Sequence, residues 1–228
     1  FLSFADDSQK FSYAASFGVT NISDAKAKDL KPLLDGFQTY SVREKSALSI
    51  VKKVTGKDGV CHIDPTLLLS SDDWRKISVK KIDKPYILVF NVKPVKSLID
   101  YAEKLSKEKN LPVIYITDNP QKKRNNFTYV SAPTVEEFLG YFANATYTVT
   151  NSFHGTAFSV IFHRNLFVEY ETAKGFNDRA KNLLQTVGIN REIKGGNATE
   201  SEIDWEKVDE ILQAERKCSV DYLKEITK

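Results

Sequence analysis

Short apolar runs alternate with longer amphipathic stretches along most of the chain. Runs such as Tyr86–Phe90 and Pro112–Ile116 are apolar at nearly every position, which is typical of strands that are buried on both faces. The stretches between them carry apolar residues at helical spacing. This alternation predicts an α/β fold in which helices cover both faces of parallel sheets.

The pattern also sets the approximate bounds of the elements. The predicted strands are Phe11–Ala15, Gln38–Val42, Gly59–Ile63, Tyr86–Phe90, Pro112–Ile116, Phe127–Val130, Tyr147–Thr150 and Leu166–Tyr170. The predicted helices are Ala25–Leu34, Glu44–Val54, Val95–Glu108, Thr134–Phe142, Phe153–Phe162, Asp178–Val187 and Asp204–Ile226. Asp24 and Thr134 are the predicted N-caps of two of these helices.

A polar segment interrupts the alternation. Residues 71–84 carry many charges and few apolar side chains, which predicts a linker. Residues 1–70 are then the C-terminal part of an N-terminal Rossmann-like unit, and residues 85–228 are a C-terminal Rossmann-like unit that ends in a long helix. We expect the N-terminal unit to be incomplete, because three strands make a poor sheet on their own and the chain contains no methionine.

Composition excludes several classes of protein. The 228 residues include 33 Lys and Arg against 30 Asp and Glu, a net charge of +3, which is too mild to indicate a nucleic-acid partner. No apolar run is long enough to span a membrane, so we expect a cytoplasmic protein. The two cysteines, Cys61 and Cys218, favour free thiols over a disulfide scaffold. The sequence contains no dinucleotide-binding glycine motif, Walker loop, zinc spacing or nucleophile elbow.

Candidate binding residues follow the predicted strands, because open parallel sheets bind ligands at the carboxyl ends of their strands. Asn151 and Ser152 begin a helix, whose free N–H groups can bind phosphate oxygens. The cations in such positions predict a pocket for an anionic, phosphorylated ligand; they are Arg43, His154, Lys174 and Arg179. Candidates for lining the cleft between the units are Ser16, Gly18 and Asp64.

Each candidate also has a simpler interpretation. Arg43 with Glu44 is equally typical of a surface ion pair at a helix start. Among apolar neighbours, His154 is more typical of a buried histidine with a satisfied hydrogen bond. The remaining simple interpretations are solvated charges for Lys174 and Arg179, a turn for Asp64-Pro65, and packing or surface positions for His62 and His163.

Several ordered motifs together resemble the polysaccharide pyruvyl transferase family. The resemblance implies two Rossmann-like units similar to those of the GT-B glycosyltransferases, with the N-terminal unit on the acceptor side and the C-terminal unit on the donor side. It also implies transfer of a pyruvyl group from phosphoenolpyruvate to a sugar of a surface or extracellular polysaccharide precursor, which forms a pyruvate ketal and releases phosphate. Family members carry a further N-terminal stretch with a Gly-rich turn, which this sequence lacks. The motifs are Tyr13–Gly18, Ser41–Glu44, Asp64–Leu69, Thr150–Gly155, Asn177–Arg179, Leu183-Leu184 and Val187–Ile189.

The resemblance implies roles for individual residues. Arg43 matches a family arginine and would hold the carboxylate or phosphate of the donor. His154 matches a family histidine and would bind the phosphate or act as a general acid. Asn151 and Ser152 would contribute donor contacts. Lys174 aligns loosely with a basic donor-binding residue and Arg179 matches an Asn-x-Arg motif, so the second donor-binding cation stays open between them. Neither a metal nor a cofactor is expected, with phosphoenolpyruvate as co-substrate.

The acceptor and two alternative functions stay open at this point. A lipid-linked sugar acceptor would bring the enzyme to the inner face of the membrane as a peripheral protein, without a transmembrane segment. One alternative is a nucleotide-sugar-dependent glycosyltransferase, for which Glu169 and Glu171 offer no convincing pattern. The other is a non-catalytic glycan-binding domain.

Overall fold

The computed structural model describes residues 1–92, 95–118, 123–170 and 178–228. The chain divides into two units, of which the first comprises residues 1–68, 172–182 and 206–228 and the second comprises residues 69–171 and 183–205. The sheets of both units are parallel. The predicted α/β class with parallel sheets is confirmed.

The elements alternate between helix and strand along the chain. The helices are α1 (Asp24–Leu34), α2 (Lys45–Thr55), α3 (Ser71–Ile77), α4 (Lys96–Lys109), α5 (Val135–Asn144), α6 (Phe153–Ile161), α7 (Asp178–Thr186) and α8 (Trp205–Ile226). The strands are β1 (Ser41–Val42), β2 (Val60–Cys61), β3 (Ile87–Phe90), β4 (Val113–Ile116), β5 (Phe127–Val130), β6 (Tyr147–Thr150) and β7 (Asn165–Val168).

The first unit has a short sheet that is packed against helices. Strands β1 and β2 pair in parallel, and isolated parallel bridges join Phe11 to Thr39 and Ala15 to Val42. Helices α1 and α2 cover the sheet with a core that includes Ala47, Ile50 and Val51. The predicted strands of this unit are therefore present only as short pairs and bridges.

Helix α8 is tied to the first unit by hydrogen bonds. The Tyr222 hydroxyl lies 2.6 Å from the Thr39 hydroxyl and donates to the Ser12 carbonyl. The N–H of Ile63 donates to the Ser219 hydroxyl. These contacts explain why the long C-terminal helix groups with N-terminal residues, whereas the sequence-based division assigns it to the C-terminal unit.

The second unit contains a five-stranded parallel sheet in the order β5-β4-β3-β6-β7. Alternate residues of β3 face opposite sides, as the period of a strand requires. Ile87 and Val89 pack with residues of α4 such as Leu98. Phe90 packs edge-on against Phe138 of α5, with ring centroids 5.1 Å apart. Continuous apolar strands are needed here because helices cover both faces.

Part of the predicted linker is a helix in the structure. A capping box between Ser70 and Asp73 begins α3, and Trp74 packs edge-on against Phe158 with ring centroids 5.3 Å apart. The segment then lies along α5, where the Val79 carbonyl comes so close that a Cβ on Gly140 would overlap it. A few well-placed apolar contacts thus order a segment whose average composition is polar.

One predicted helix cap also differs. The N-cap of α1 is Ser23, whose hydroxyl accepts the Lys26 N–H at 3.2 Å. Asp24, the predicted cap, is the first residue of the helix, where its negative charge suits the helix dipole. The predicted cap of α5, Thr134, is confirmed.

Candidate active site

The strand order of the second unit reverses between β3 and β6. Strands β4 and β5 extend the sheet on one side of this pair and β7 extends it on the other. Ligands of open parallel sheets bind in the crevice at such a reversal. The chain continues from β3 into Asn91 and Val92, and from β6 into Asn151 and Ser152. The predicted residues Asn151, Ser152 and His154 therefore lie at the switch point.

Helix α6 begins directly at this crevice. Ser152 is its N-cap, and the Ser152 hydroxyl accepts the N–H of Gly155 at 3.3 Å. The helix dipole adds partial positive charge at this end of the helix. This end of α6 is therefore suited to binding an anion.

The close contact between α6 and β6 requires a glycine at position 155. A Cβ on Gly155 would lie 2.3 Å from the Thr150 hydroxyl oxygen. That hydroxyl donates to the Phe90 carbonyl at 2.5 Å and accepts the Ser152 N–H at 3.0 Å. Thr150 therefore joins β3, β6 and the start of α6, and it cannot move aside without breaking these hydrogen bonds.

Asn151 and His154 have different surroundings. Asn151 is buried, and its Oδ1 accepts the N–H of Val92 at 3.0 Å, which connects the ends of β6 and β3. His154 is exposed in the first turn of α6, with its ring centroid 5.2 Å from that of Phe153. Its exposure contradicts the buried-histidine interpretation. An exposed imidazole in this turn can contact an anion bound to the helix and exchange a proton with it.

Arg43 of the first unit follows β1 and forms an ion pair with Asp64, which follows β2. Burial raises the pKa of the Asp64 carboxyl, but hydrogen bonds from Thr66 and Arg43 outweigh burial and hold this pKa below its usual value. The Thr66 N–H and hydroxyl donate to Asp64 at 3.0 and 2.8 Å. Asp64 is therefore ionised at neutral pH and fixes one side of the Arg43 guanidinium.

Arg179 lies near the same guanidinium, in the first turn of α7. Burial lowers the pKa of Arg179 and the positive charge of Arg43 lowers it further, whereas the nearby carboxylates of Glu44 and Asp64 raise it. Two adjacent cations disfavour each other. A bound anion with two negative groups would relieve this repulsion and accept charge-assisted hydrogen bonds from both.

Glu44 anchors the loop that contains Ser16 and Gly18. Glu44 is only 1% exposed, and its Oε1 accepts the Ser16 hydroxyl at 2.9 Å and the Phe17 N–H at 3.1 Å. Gly18 has a φ of +68°, a conformation that glycine adopts without strain. Glu44 is thus buried, and the interpretation of Arg43 with Glu44 as a surface pair is wrong. That Ser16 and Gly18 line a cleft stays a prediction.

The predicted residues fall into one group in each unit. Arg43, Asp64 and Arg179 lie together in the first unit, and Asn151, Ser152 and His154 lie together in the second. Lys174 lies outside the described residues, as does Glu171. The convergence of both groups on one ligand stays a prediction.

Two residues at these sites follow predicted strands but are not among the candidate site residues. Asn91 is buried at the switch point, where its Oδ1 accepts the Tyr115 hydroxyl at 2.8 Å; its position directly after a predicted strand is a signal equal to that of Asn151. Glu44 also follows a predicted strand and ends the motif Ser41–Glu44, but the sequence does not signal its burial, because a charged residue at a helix start is usually exposed. Only the packing of the loop reveals its burial.

Solved structures match this chain at low sequence identity. UDP-GlcNAc 2-epimerase of Methanocaldococcus jannaschii, solved with UDP-GlcNAc and UDP, matches with a TM-score of 0.51 and 12% identity over 79% of this chain and 55% of that chain. MurG of Acinetobacter baumannii matches with a TM-score of 0.46 and 10% identity over 92% of this chain and 65% of that chain. The chain thus spans about half the length of the epimerase. At this level of identity the epimerase match supports the GT-B-like fold alone.

The family comparison is more specific. No curated protein matches the sequence. The family model described as polysaccharide pyruvyl transferase matches residues 1–168. This range contains Arg43, Asp64 and the segment from Asn151 to His154, whereas Arg179 lies beyond it. Because the match covers well over half of the 228 residues, the chain belongs to the polysaccharide pyruvyl transferase family.

Proposed function

We propose that the protein transfers a pyruvyl group from phosphoenolpyruvate to a sugar of a surface or extracellular polysaccharide precursor. Family membership supports pyruvyl transfer. The observation that carries the choice of donor is that Arg43 lies close enough to Arg179 for its charge to lower the Arg179 pKa, in addition to burial. Phosphoenolpyruvate carries a phosphate and a carboxylate close together, and guanidinium groups bind both in bidentate geometry.

The proposed reaction joins two hydroxyls of one sugar to the same carbon. The first hydroxyl oxygen bonds to C2 of phosphoenolpyruvate while a proton adds to C3, which becomes the methyl group. The second hydroxyl oxygen then bonds to C2, the bond between C2 and the phosphate oxygen breaks, and phosphate leaves with the remaining proton. The products are a cyclic pyruvate ketal and inorganic phosphate, so no oxidant or reductant is needed.

The second unit supplies the other half of the proposed chemistry. The N–H groups at the start of α6 would hold phosphate oxygens. His154 in the same turn would donate a proton as general acid. The cations would stabilise the charge that develops on the leaving phosphate. We place the reaction in the cytoplasm, and at the inner membrane face if the acceptor is lipid-linked. None of the helices in the described part of the chain has both the length and the hydrophobicity of a transmembrane span.

The experiment is phosphate release from phosphoenolpyruvate across a panel of sugar acceptors, with the ketal product identified by mass spectrometry. The wild-type protein is expected to release phosphate only with an acceptor that gains a ketal. Arg179→Met is expected to lower the rate at least about tenfold, because it removes a cation from the donor site. Lys181→Met, a matched change at an exposed position of the same helix, is expected to keep the wild-type rate.

His154 is tested in the same assay. His154→Ala is expected to lose most of the phosphate release, and a wild-type rate would remove it from the catalytic residues. Donor identity is tested separately by thermal stabilisation. Phosphoenolpyruvate is expected to raise the melting temperature, whereas stabilisation by UDP or GDP alone would contradict the proposed donor.

A further inference from the structure

A second cavity opens beside the switch point, within the second unit. Its volume is about 700 Å³, in the range of small-molecule sites. It lies at the carboxyl ends of β3 and β4 and reaches the start of α5. The reversal of strand order that produces the anion site therefore also produces this cavity. The walls include Asn91, Val92, Asp118, Val135 and Phe138.

Asn91 brings an unused hydrogen-bond donor to this wall. The residue is 8% exposed, and its Oδ1 is occupied by the Tyr115 hydroxyl. Its Nδ2 is buried and has no hydrogen-bond partner. Such a group costs about 1–3 kcal/mol when left unpaired, so a ligand oxygen that displaced the surrounding atoms enough to reach it would stabilise the protein.

Among the described residues, the charges around the cavity disfavour an anion. Asp118 is exposed in the wall, and Glu136 and Glu137 occupy the first turn of α5. A capping box between Thr134 and Glu137 already occupies N–H groups that an anion would need. The acidic first turn distinguishes this helix start from that of α6, which has no acidic residue in its first turn, and the cavity is suited to a neutral ligand.

Another part of the wall is apolar and accessible. Val92 and Val135 are 69% and 66% exposed, and Phe138 also lines the cavity. A ligand with apolar ring faces and several hydroxyls matches this mixture, because the faces cover the valines while the hydroxyls reach the Asn91 amide and the Asp118 carboxylate.

Two hydrogen bonds connect the cavity to the anion site. The Val92 N–H donates to Asn151, and the Thr150 hydroxyl donates to the Phe90 carbonyl. Phe90 and Val92 line the cavity, while Thr150 and Asn151 lead into α6. A neutral ring bound in the cavity would therefore lie next to an anion bound at α6.

We infer that this cavity binds a neutral pyranose ring of the acceptor glycan. The inference rests on the proposed function, because pyruvyl transfer requires a hydroxyl-bearing ring beside the phosphorylated donor. A nucleoside is the competing occupant, because its base is also a neutral ring. The proposed donor, phosphoenolpyruvate, contains no nucleoside, so the proposed function gives no reason to expect a nucleoside in this cavity.

Saturation-transfer NMR tests the inference on the whole chain with three probes: methyl β-galactopyranoside, methyl β-glucopyranoside and uridine. At least one glycoside is expected to receive saturation, and uridine is not. Val135→Glu places a carboxylate at the exposed rim and is expected to weaken glycoside binding about tenfold. Ile77→Glu, an equally charged change at an exposed position outside the cavity, is expected to leave it unchanged. Asn91→Leu removes the unused donor and is expected to act in the same direction as Val135→Glu.

The outcomes separate this inference from the proposed function. Thermal stabilisation by phosphoenolpyruvate, measured on the same samples, reports the donor site alone. Three outcomes would each overturn the sugar site. They are donor binding without any glycoside binding, glycoside binding that Val135→Glu leaves intact, and preferential binding of uridine. Glycoside binding that is sensitive to Val135→Glu, without donor binding, would support the sugar site and count against the proposed donor.

Discussion

Gly155 offers a quantitative test of how the start of α6 is held in place. In Gly155→Ala the new Cβ would lie 2.3 Å from the Thr150 hydroxyl oxygen, 3.1 Å from the Thr150 Cβ and 3.3 Å from the Phe90 ring. Atoms do not approach so closely, so the Thr150 side chain must turn away. The Phe90 carbonyl and the Ser152 N–H would then lose their hydrogen bonds to Thr150.

The expected cost follows from three contributions. Overpacking in a well-packed interior costs about 1–3 kcal/mol, and leaving buried polar groups unpaired costs about 1–3 kcal/mol. The higher helix propensity of alanine offsets about 1 kcal/mol. We therefore expect Gly155→Ala to lower the free energy of unfolding of the second unit by about 3 kcal/mol.

Urea unfolding followed by tryptophan fluorescence measures this cost. Both tryptophans, Trp74 and Trp205, belong to the second unit, so the signal reports that unit. The control is the same glycine substitution in a Thr150→Ala background, where the clashing hydroxyl is absent. There Gly155→Ala is expected to cost less than about 1 kcal/mol, because the remaining contacts at 3.1 and 3.3 Å yield to small shifts. An equal cost in both backgrounds would refute the steric explanation.

Three further predictions concern single residues. Ser152→Ala and Ser23→Ala each remove a helix N-cap, and each is expected to lower the free energy of unfolding in urea by about 1 kcal/mol. Only Ser152→Ala is expected to reduce thermal stabilisation by phosphoenolpyruvate. A reduction by both variants would argue against a donor site at α6. The pKa of Asp64 is lowered in the folded protein, so its ionised form stabilises the fold above the ordinary pKa of about 4 and this stabilisation is lost at lower pH. Wild type is therefore expected to be more stable than Asp64→Asn at neutral pH, with the difference shrinking in acid, and a difference that does not change with pH would contradict the ion-pair argument. Burial and nearby carboxylates raise the pKa of Cys61 to about 11, so iodoacetamide at neutral pH is expected to label the exposed Cys218 far faster, as mass spectrometry of the peptides will show.

The candidate-site residues that directly follow a strand could be predicted from the sequence. Asn151, Ser152 and His154 follow a buried strand and begin a helix. This local pattern places them at the carboxyl end of the sheet and does not depend on the rest of the fold. Arg43 and Asp64 are predictable on the same ground, since each follows a parallel strand. The family resemblance rests on the same segments, because chemistry is concentrated where strands end.

The α/β class, the strands of the second unit and the order of the site motifs can be read from the amino-acid sequence alone, because apolar periodicity is a local property of the chain. The packing of α3 on α5, the association of α8 with the first unit and the burial of Glu44 against a loop emerge only from the folded protein. Each of these depends on contacts between residues far apart in sequence, such as Trp74 with Phe158. The pairing of Arg43 with Asp64 and its proximity to Arg179 are of the same kind, since a charge acquires its partner only when the fold brings distant segments together.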